Sequence, residues 1–290
     1  MLIRIGFEMV FEFPAPAAML LMLGLRPERE ASIRRPGGLR VEPEVPLEWY
    51  TDGFGNRPAR LLAPDGQLIL RDDLIVEDDG QPDPVVTDAK QIPVQDLPPD
   101  VLVYLLSSRY CEVDRLSDTA WRLFGGTPEG WARVQSICDW VHGNIRFDYQ
   151  SARPTKTAHD VYEERAGVCR DFSHLALTFC RCLNIPARYA TGYLGDIGIA
   201  PQPYPMDFSG WFEAYLDGRW YTFDARHNVP RIGRVLMAYG RDAADVALTT
   251  TFGATRLEKF AVWTDEVSER ELGDMQEPRT PVGWNATSQV

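Results

Sequence analysis

The sequence predicts an α+β protein: a β-rich first third, then a helix packed on an antiparallel sheet. Three observations predict it. Over residues 1–98, short apolar runs alternate with the turn dipeptides Asp52-Gly53, Asp65-Gly66 and Asp79-Gly80, a spacing that suggests a small β-sandwich. Residues 99–183 carry apolar side chains at helical spacing. From Ala187 onward alternating runs return, and Asp217-Gly218 separates two of them, which is a strong hairpin signal.

The apolar runs at 3–13, 18–25, 39–45, 61–62 and 67–70 are strand candidates, and the proline-rich stretch 91–99 reads as a linker. Asp100 is placed to cap a helix running through Tyr104 and Leu105. Trp131, Val134, Ile137, Cys138 and Val141 predict a helix over 129–144. A short helix is expected over 157–164 and a longer one over 169–183, stopped by Asn184-Ile185-Pro186. Strands are expected over 187–194, 208–216, 219–225, 231–239, 246–251 and 258–262. These expectations divide the chain into a β-sandwich-like unit (1–98), a core (99–270) and a C-terminal tail (271–290), the last low in apolar residues beyond about Met275.

Composition removes several function classes. The formal net charge of -12 repels phosphate backbones, so nucleic-acid binding is not expected. The N-terminal apolar runs are interrupted by Glu8, Glu12, Pro14 and Pro16, so neither a signal peptide nor a membrane span is expected. The five cysteines (111, 138, 169, 180 and 182) have neither disulfide-framework nor zinc spacing. A reducing, cytoplasmic setting is therefore expected, with no metal.

Cys169 comes after the turn Ala166-Gly167-Val168 and opens a helix. The free N–H groups and partial positive charge of a first helical turn are expected to lower a thiol's pKa and to support an oxyanion. Cys180 and Cys182 lie deeper in the same helix and read as core. The segment 157–193 carries Gly-Val-Cys-Arg-Asp-Phe at 167–172, Ile-Pro-Ala-Arg-Tyr at 185–189 and Gly-Tyr at 192–193. Together with Trp-Phe-Glu-Ala-Tyr-Leu-Asp-Gly-Arg-Trp-Tyr-Thr-Phe-Asp-Ala at 211–225, it resembles bacterial transglutaminase-like proteins, a branch of the papain-like thiol enzymes. The resemblance covers residues 130–240 well and implies a papain-like core behind the β-sandwich.

The resemblance implies a Cys-His-Asp triad. Cys169 matches the cysteine and Asp224 the aspartate. The family's histidine precedes the hairpin tryptophan by two residues, and Ser209 stands there instead. A serine hydroxyl is no general base near neutral pH. With Asp217-Gly218 as the turn, Trp211 faces Asp224, Ser209 faces Arg226, and residues 209, 211, 213 and 224 share one face. His227 would then fall on the opposite face, unless a strand end near Arg226 turns it inward as a surrogate base. His174 reads as a core histidine, and His142 and His159 as ordinary packing or surface residues. Trp211, Glu213 and Arg170 are candidates for contact with substrate. The basic residues Arg226, Arg231, Arg234 and Arg241 form a cluster that would suit a carboxylate-bearing substrate.

The resemblance implies a thiol enzyme that attacks an amide carbonyl of a protein or peptide, without a cofactor. The acyl-thioester would go to water (peptidase or amidase) or to an amine (acyl transfer). The competing expectation is a catalytically degenerate binding or scaffolding protein, because Ser209 replaces the histidine.

Overall fold

The computed structural model of the protein describes residues 1–274 and 284–285. Strands β1 (Leu2–Phe13), β2 (Ala17–Leu21), β3 (Ile33–Arg35), β4 (Arg40–Glu42), β5 (Glu48–Trp49), β6 (Ala59–Ala63) and β7 (Gly66–Glu77) come first. Helices α1 (Val113–Phe124) and α2 (Trp131–Asn144), strand β8 (Arg146–Phe147), helix α3 (Ala158–Glu164), strand β9 (Ala166–Gly167) and helix α4 (Cys169–Cys182) come next. The chain then forms β10 (Ala187–Leu194), β11 (Ser209–Leu216), β12 (Arg219–Phe223), β13 (Arg234–Gly240), β14 (Thr249–Thr251), β15 (Arg256–Val267), α5 (Glu269–Asp274) and β16 (Trp284–Asn285).

These strands make three main sheets. One runs β16-β15-β1-β7-β3, with β4 also on β7. A second runs β14-β2-β6-β5, and the third runs β12-β11-β10-β13. The first two enclose the expected β-sandwich. Alternate residues of β1 (Ile3, Ile5, Phe7, Met9) turn inward with Met19 and Leu21 of β2 and Leu61 of β6, as the period-two pleat requires. The third sheet is covered on both faces. Tyr193, Val235 and Met237 join the sandwich core. Tyr189, Phe212 and Ala214 join the helical core around Leu175, Ala176 and Phe179 of α4. That double burial explains why every residue of β11 is buried.

The division at 98/99 needs one correction. Residues 249–267, expected in the core unit, pair with the N-terminal strands: β14 with β2, and β15 with β1 from Leu2↔Val267 to Glu12↔Arg256. An antiparallel partner for the long apolar β1 is supplied by the far end of the chain. Of the expected tail, 271–274 are helical and Trp284-Asn285 pair with β15; the remainder lies outside the described residues. Where a helix was expected from Asp100, Pro99–Leu105 form a 3-10 helix. Helix α1 was not foreseen.

Candidate active site

The start of α4 is fixed by a tight local arrangement. Strand β9 pairs in parallel with β8 and delivers the chain to Val168. The Val168 N–H donates to Asp171 Oδ2 at 3.0 Å, so the third residue of the helix caps its entry. A Cβ on Gly167 would sit 2.6 Å from the Asp171 Cβ, so only glycine allows this approach. Asp171 is fully buried; burial pushes its carboxyl up, while Arg170 and the Val168 N–H pull it back. Arg170 is spent here, paired with Asp171 at 3.0 Å and donating to the Arg153 carbonyl at 2.8 Å.

Cys169 is half-buried, whereas the other four thiols are fully enclosed. Ser173 Oγ, one turn on, donates to the Gly210 carbonyl of β11 at 3.1 Å, tying helix to strand. The expected low thiol pKa is not what the surroundings produce. Burial pushes the Cys169 thiol up and Asp207 adds to the rise; Arg226 and the Gly210 N–H oppose them. The resting group is therefore a thiol that needs a base.

The hairpin has the expected register, with Phe212↔Phe223 and Glu213↔Thr222 paired. Strand β12 ends at Phe223, and the chain turns at once. Asp224 Oδ1 accepts the backbone N–H groups of Arg226 and His227, both at 3.0 Å, and the Asn228 N–H closes onto the Asp224 carbonyl at 2.8 Å. Asn228 takes the left-handed φ of 53° that such a turn needs. The turn swings His227 round so that its Nδ1 lies 2.8 Å from Asp224 Oδ2. Arg234 Nη2 reaches the same oxygen at 2.9 Å. Burial works against charge on Asp224, but Arg234 and the hydrogen bonds from His227 outweigh it and hold the carboxyl well below its usual range.

One cleft is lined by Cys169, Ser209, His227, Asp207, Arg226 and Arg231, with Tyr149 and Tyr204 among its aromatic walls. The structure thus brings Cys169 and His227 into one cleft, with Asp224 behind the imidazole. Among the described residues, His227 Nε2 makes no hydrogen bond. Chemically, such an arrangement could supply a nucleophile, a base and an orienting carboxylate, with the imidazole coming from the turn after β12 rather than from β11. Ser209 does line the cleft, but its buried Oγ has no hydrogen-bond partner. Asp207, which sequence reasoning missed, has its carboxyl pushed up to about 6 by burial, against the Phe208 N–H and Arg226.

The three expected substrate contacts lie elsewhere. Trp211 is 2% exposed, beneath the Arg234 guanidinium. Glu213 is paired with Arg188 at 2.6 Å and accepts from the Tyr239 hydroxyl. Neither these two nor Arg170 lines the cleft. Alternation put Trp211 and Glu213 on a shared face, but arginines already occupy their partners' places there. His174 is buried between Tyr110 and Tyr189, accepts the Ala243 N–H at Nε2, and is pushed well below its ordinary value by burial. His142 Nδ1 bonds the Arg226 carbonyl at 2.8 Å, which supports the turn from outside. His227, expected to face inward only if a strand end near Arg226 turned it, is turned by Asp-x-x-His-Asn directly after a strand, an Asx-type turn in which the aspartate binds backbone two and three residues on. Among the described residues, no group of three or more His, Cys, Asp or Glu side chains has the arrangement to hold a metal ion, and no helix is long and apolar enough to cross a membrane.

Comparison with known proteins bears on the family of the chain. Residues 118–225 match the model of the transglutaminase-like superfamily. The crystal structure of a candidate cysteine protease from Cytophaga hutchinsonii is 30% identical, with a TM-score of 0.79 over 99% of this chain and 95% of that one. An uncharacterized protein of Mycobacterium leprae (strain TN) is 26% identical over 117 residues, 39% of this chain; the match spans only 42% of that relative's length. The periplasmic domain of TgpA from Pseudomonas aeruginosa aligns at 14% identity and a TM-score of 0.38, covering 77% of this chain and 88% of that domain. On the full-length match at 30% identity and the motif-bearing region at 118–225, the chain belongs to the transglutaminase-like superfamily.

Proposed function

We propose that the protein is a thiol enzyme in which Cys169 attacks an amide carbonyl of a peptide or protein and the His227–Asp224 pair serves as the base. The observation that carries this reading is the 2.8 Å contact from His227 Nδ1 to Asp224 Oδ2, made by an imidazole that shares its cleft with Cys169. Asp224, held ionised, keeps the proton on Nδ1 and leaves Nε2 to act. Nε2 takes the thiol proton, the thiolate adds to the carbonyl carbon, and the oxyanion meets the Cys169 N–H at the start of α4. The C–N bond then breaks and the amine leaves with the proton from Nε2. Water or a second amine cleaves the thioester, with His227 again as base. Similarity to the candidate cysteine protease favours water. No step draws on a cofactor. The five unpaired thiols suit a reducing compartment such as the cytoplasm.

The degenerate reading draws on Ser209 and on the raised thiol pKa. Acyl-enzyme trapping separates the two. Incubation with a p-nitrophenyl ester of an acetylated amino acid, then intact-mass measurement, is expected to show one acyl adduct on Cys169. The adduct should be absent in Cys169→Ala, slowed about 100-fold or more in His227→Gln, and little changed in Ser209→Ala. A wild-type protein that never acylates would favour the degenerate reading.

A further inference from the structure

We propose that the Cys169 cleft carries an anion subsite, formed by Arg231 and Arg226, that binds a carboxylate of the peptide substrate beside the reacting carbonyl. This rests on the reading of the cleft as a substrate site, but its test does not depend on turnover.

The chain is acidic, and its buried guanidinium groups are mostly matched: Arg4 to Asp73 at 2.7 Å, Arg26 to Glu28 at 2.7 Å, and Arg234 to both Asp83 and Asp224 at 2.9 Å. Arg231 is the exception at this site. It is 3% exposed and lines the cleft, yet it makes no ion pair among the described residues. Its Nη2 donates to the Gly195 carbonyl at 2.7 Å, and its buried Nε has no partner. From Arg231 the Asp83 carboxylate accepts only the backbone N–H, and the Arg234 side chain engages it otherwise. A buried cation with an orphaned donor is costly unless an anion completes it.

Arg226 is the second half of the subsite. It also lines the cleft, has no ion pair among the described residues, and lies over Phe147 with its guanidinium carbon 3.9 Å from the ring centroid. Contact with Phe147 fixes the planar fork without neutralising it. Arg226 directly precedes His227, so an anion held there lies next to the reacting group. Asp196 and Asp207 also line the cleft, so a singly charged planar carboxylate is better matched than a phosphate dianion.

The test uses Cys169→Ser, which cannot form a thioester, and isothermal titration with three peptides: acetyl-Ala-Ala-Glu-Ala-Ala-amide, its glutamine counterpart, and acetyl-penta-alanine with a free C-terminus. At 50 mM salt, one of the two carboxylate peptides should bind about tenfold or more tighter than the glutamine peptide. Which one does so distinguishes a side-chain from a terminal carboxylate. The preference should shrink at 0.5 M salt. In Arg231→Met it should fall to about twofold or less, with binding of the neutral peptide unchanged. If Arg231→Met does not fold, Arg226→Gln carries the test, since that side chain is only half-buried. Equal binding of all three peptides, no binding of either carboxylate peptide, or a preference that survives both substitutions would overturn the subsite. A protein that never acylates yet keeps the preference would overturn the catalytic reading alone.

Discussion

Asp224 collects four donors: two backbone N–H groups, the His227 imidazole and the Arg234 guanidinium. Because its folded pKa is depressed, its contribution to stability is present above the ordinary carboxylate value and is lost as pH falls below about 4. Asp224→Asn should cost about 1–3 kcal/mol at pH 7, read by denaturant melts, and the cost should begin to shrink only as pH falls below about 4. Asp207 behaves in the opposite sense. Its folded pKa is raised from 3.8 to about 6, so its contribution is complete below its unfolded value and is lost as pH rises through about 6. Asp207→Asn is therefore expected to raise Tm at pH 7.5 while matching wild type near pH 4, and to speed alkylation of Cys169, whose thiol Asp207 pushes up. At this scale Cys169 and Asp224 were legible in the sequence because linear motifs carry them. His227 and Asp207 were harder to read, because their roles depend on where a strand stops and how a turn closes.

Helix α4 organises the site from one end to the other. At its start Asp171 and Ser173 lock Cys169 to the entry turn and to β11. Near its end Arg181, 2% exposed, donates to the carbonyls of Leu106, Ala187 and Arg241 and to the Ser108 hydroxyl. This is a buried charge satisfied by carbonyl dipoles rather than by a carboxylate. Arg181→Leu should destabilise by about 3 kcal/mol, and Arg181→Lys should recover little, since one ammonium cannot span the fork. The helix was legible because Phe172, Leu175, Ala176, Phe179 and Leu183 recur at helical spacing. Helix α1 was not, because its buried stripe is only Leu116, Ala120 and Phe124, its neighbour Trp121 is exposed, and Glu112 provides no side-chain cap.

The two ends of the chain meet in one sheet. Strand β15 pairs along almost the whole of β1, and Trp263 Nε1 donates to Asp73, which also holds Arg4. No short-range sequence signal encodes that contact, because its partners lie roughly 250 residues apart and only the pairing reveals them. Truncation after residue 255 would leave β1, with its buried Ile3, Ile5 and Phe7, as an open apolar edge. The truncated protein is expected to aggregate on expression, or to melt well below the full chain in a thermal scan.

Activation of Cys169 by the imidazole after β12 can be read from the rate of Cys169 alkylation with iodoacetamide at pH 7.5 in wild type, His227→Gln and Ser209→Ala. The expected result is a fall of about tenfold or more for His227→Gln and near-wild-type labelling for Ser209→Ala. Equal rates in His227→Gln and wild type would contradict it.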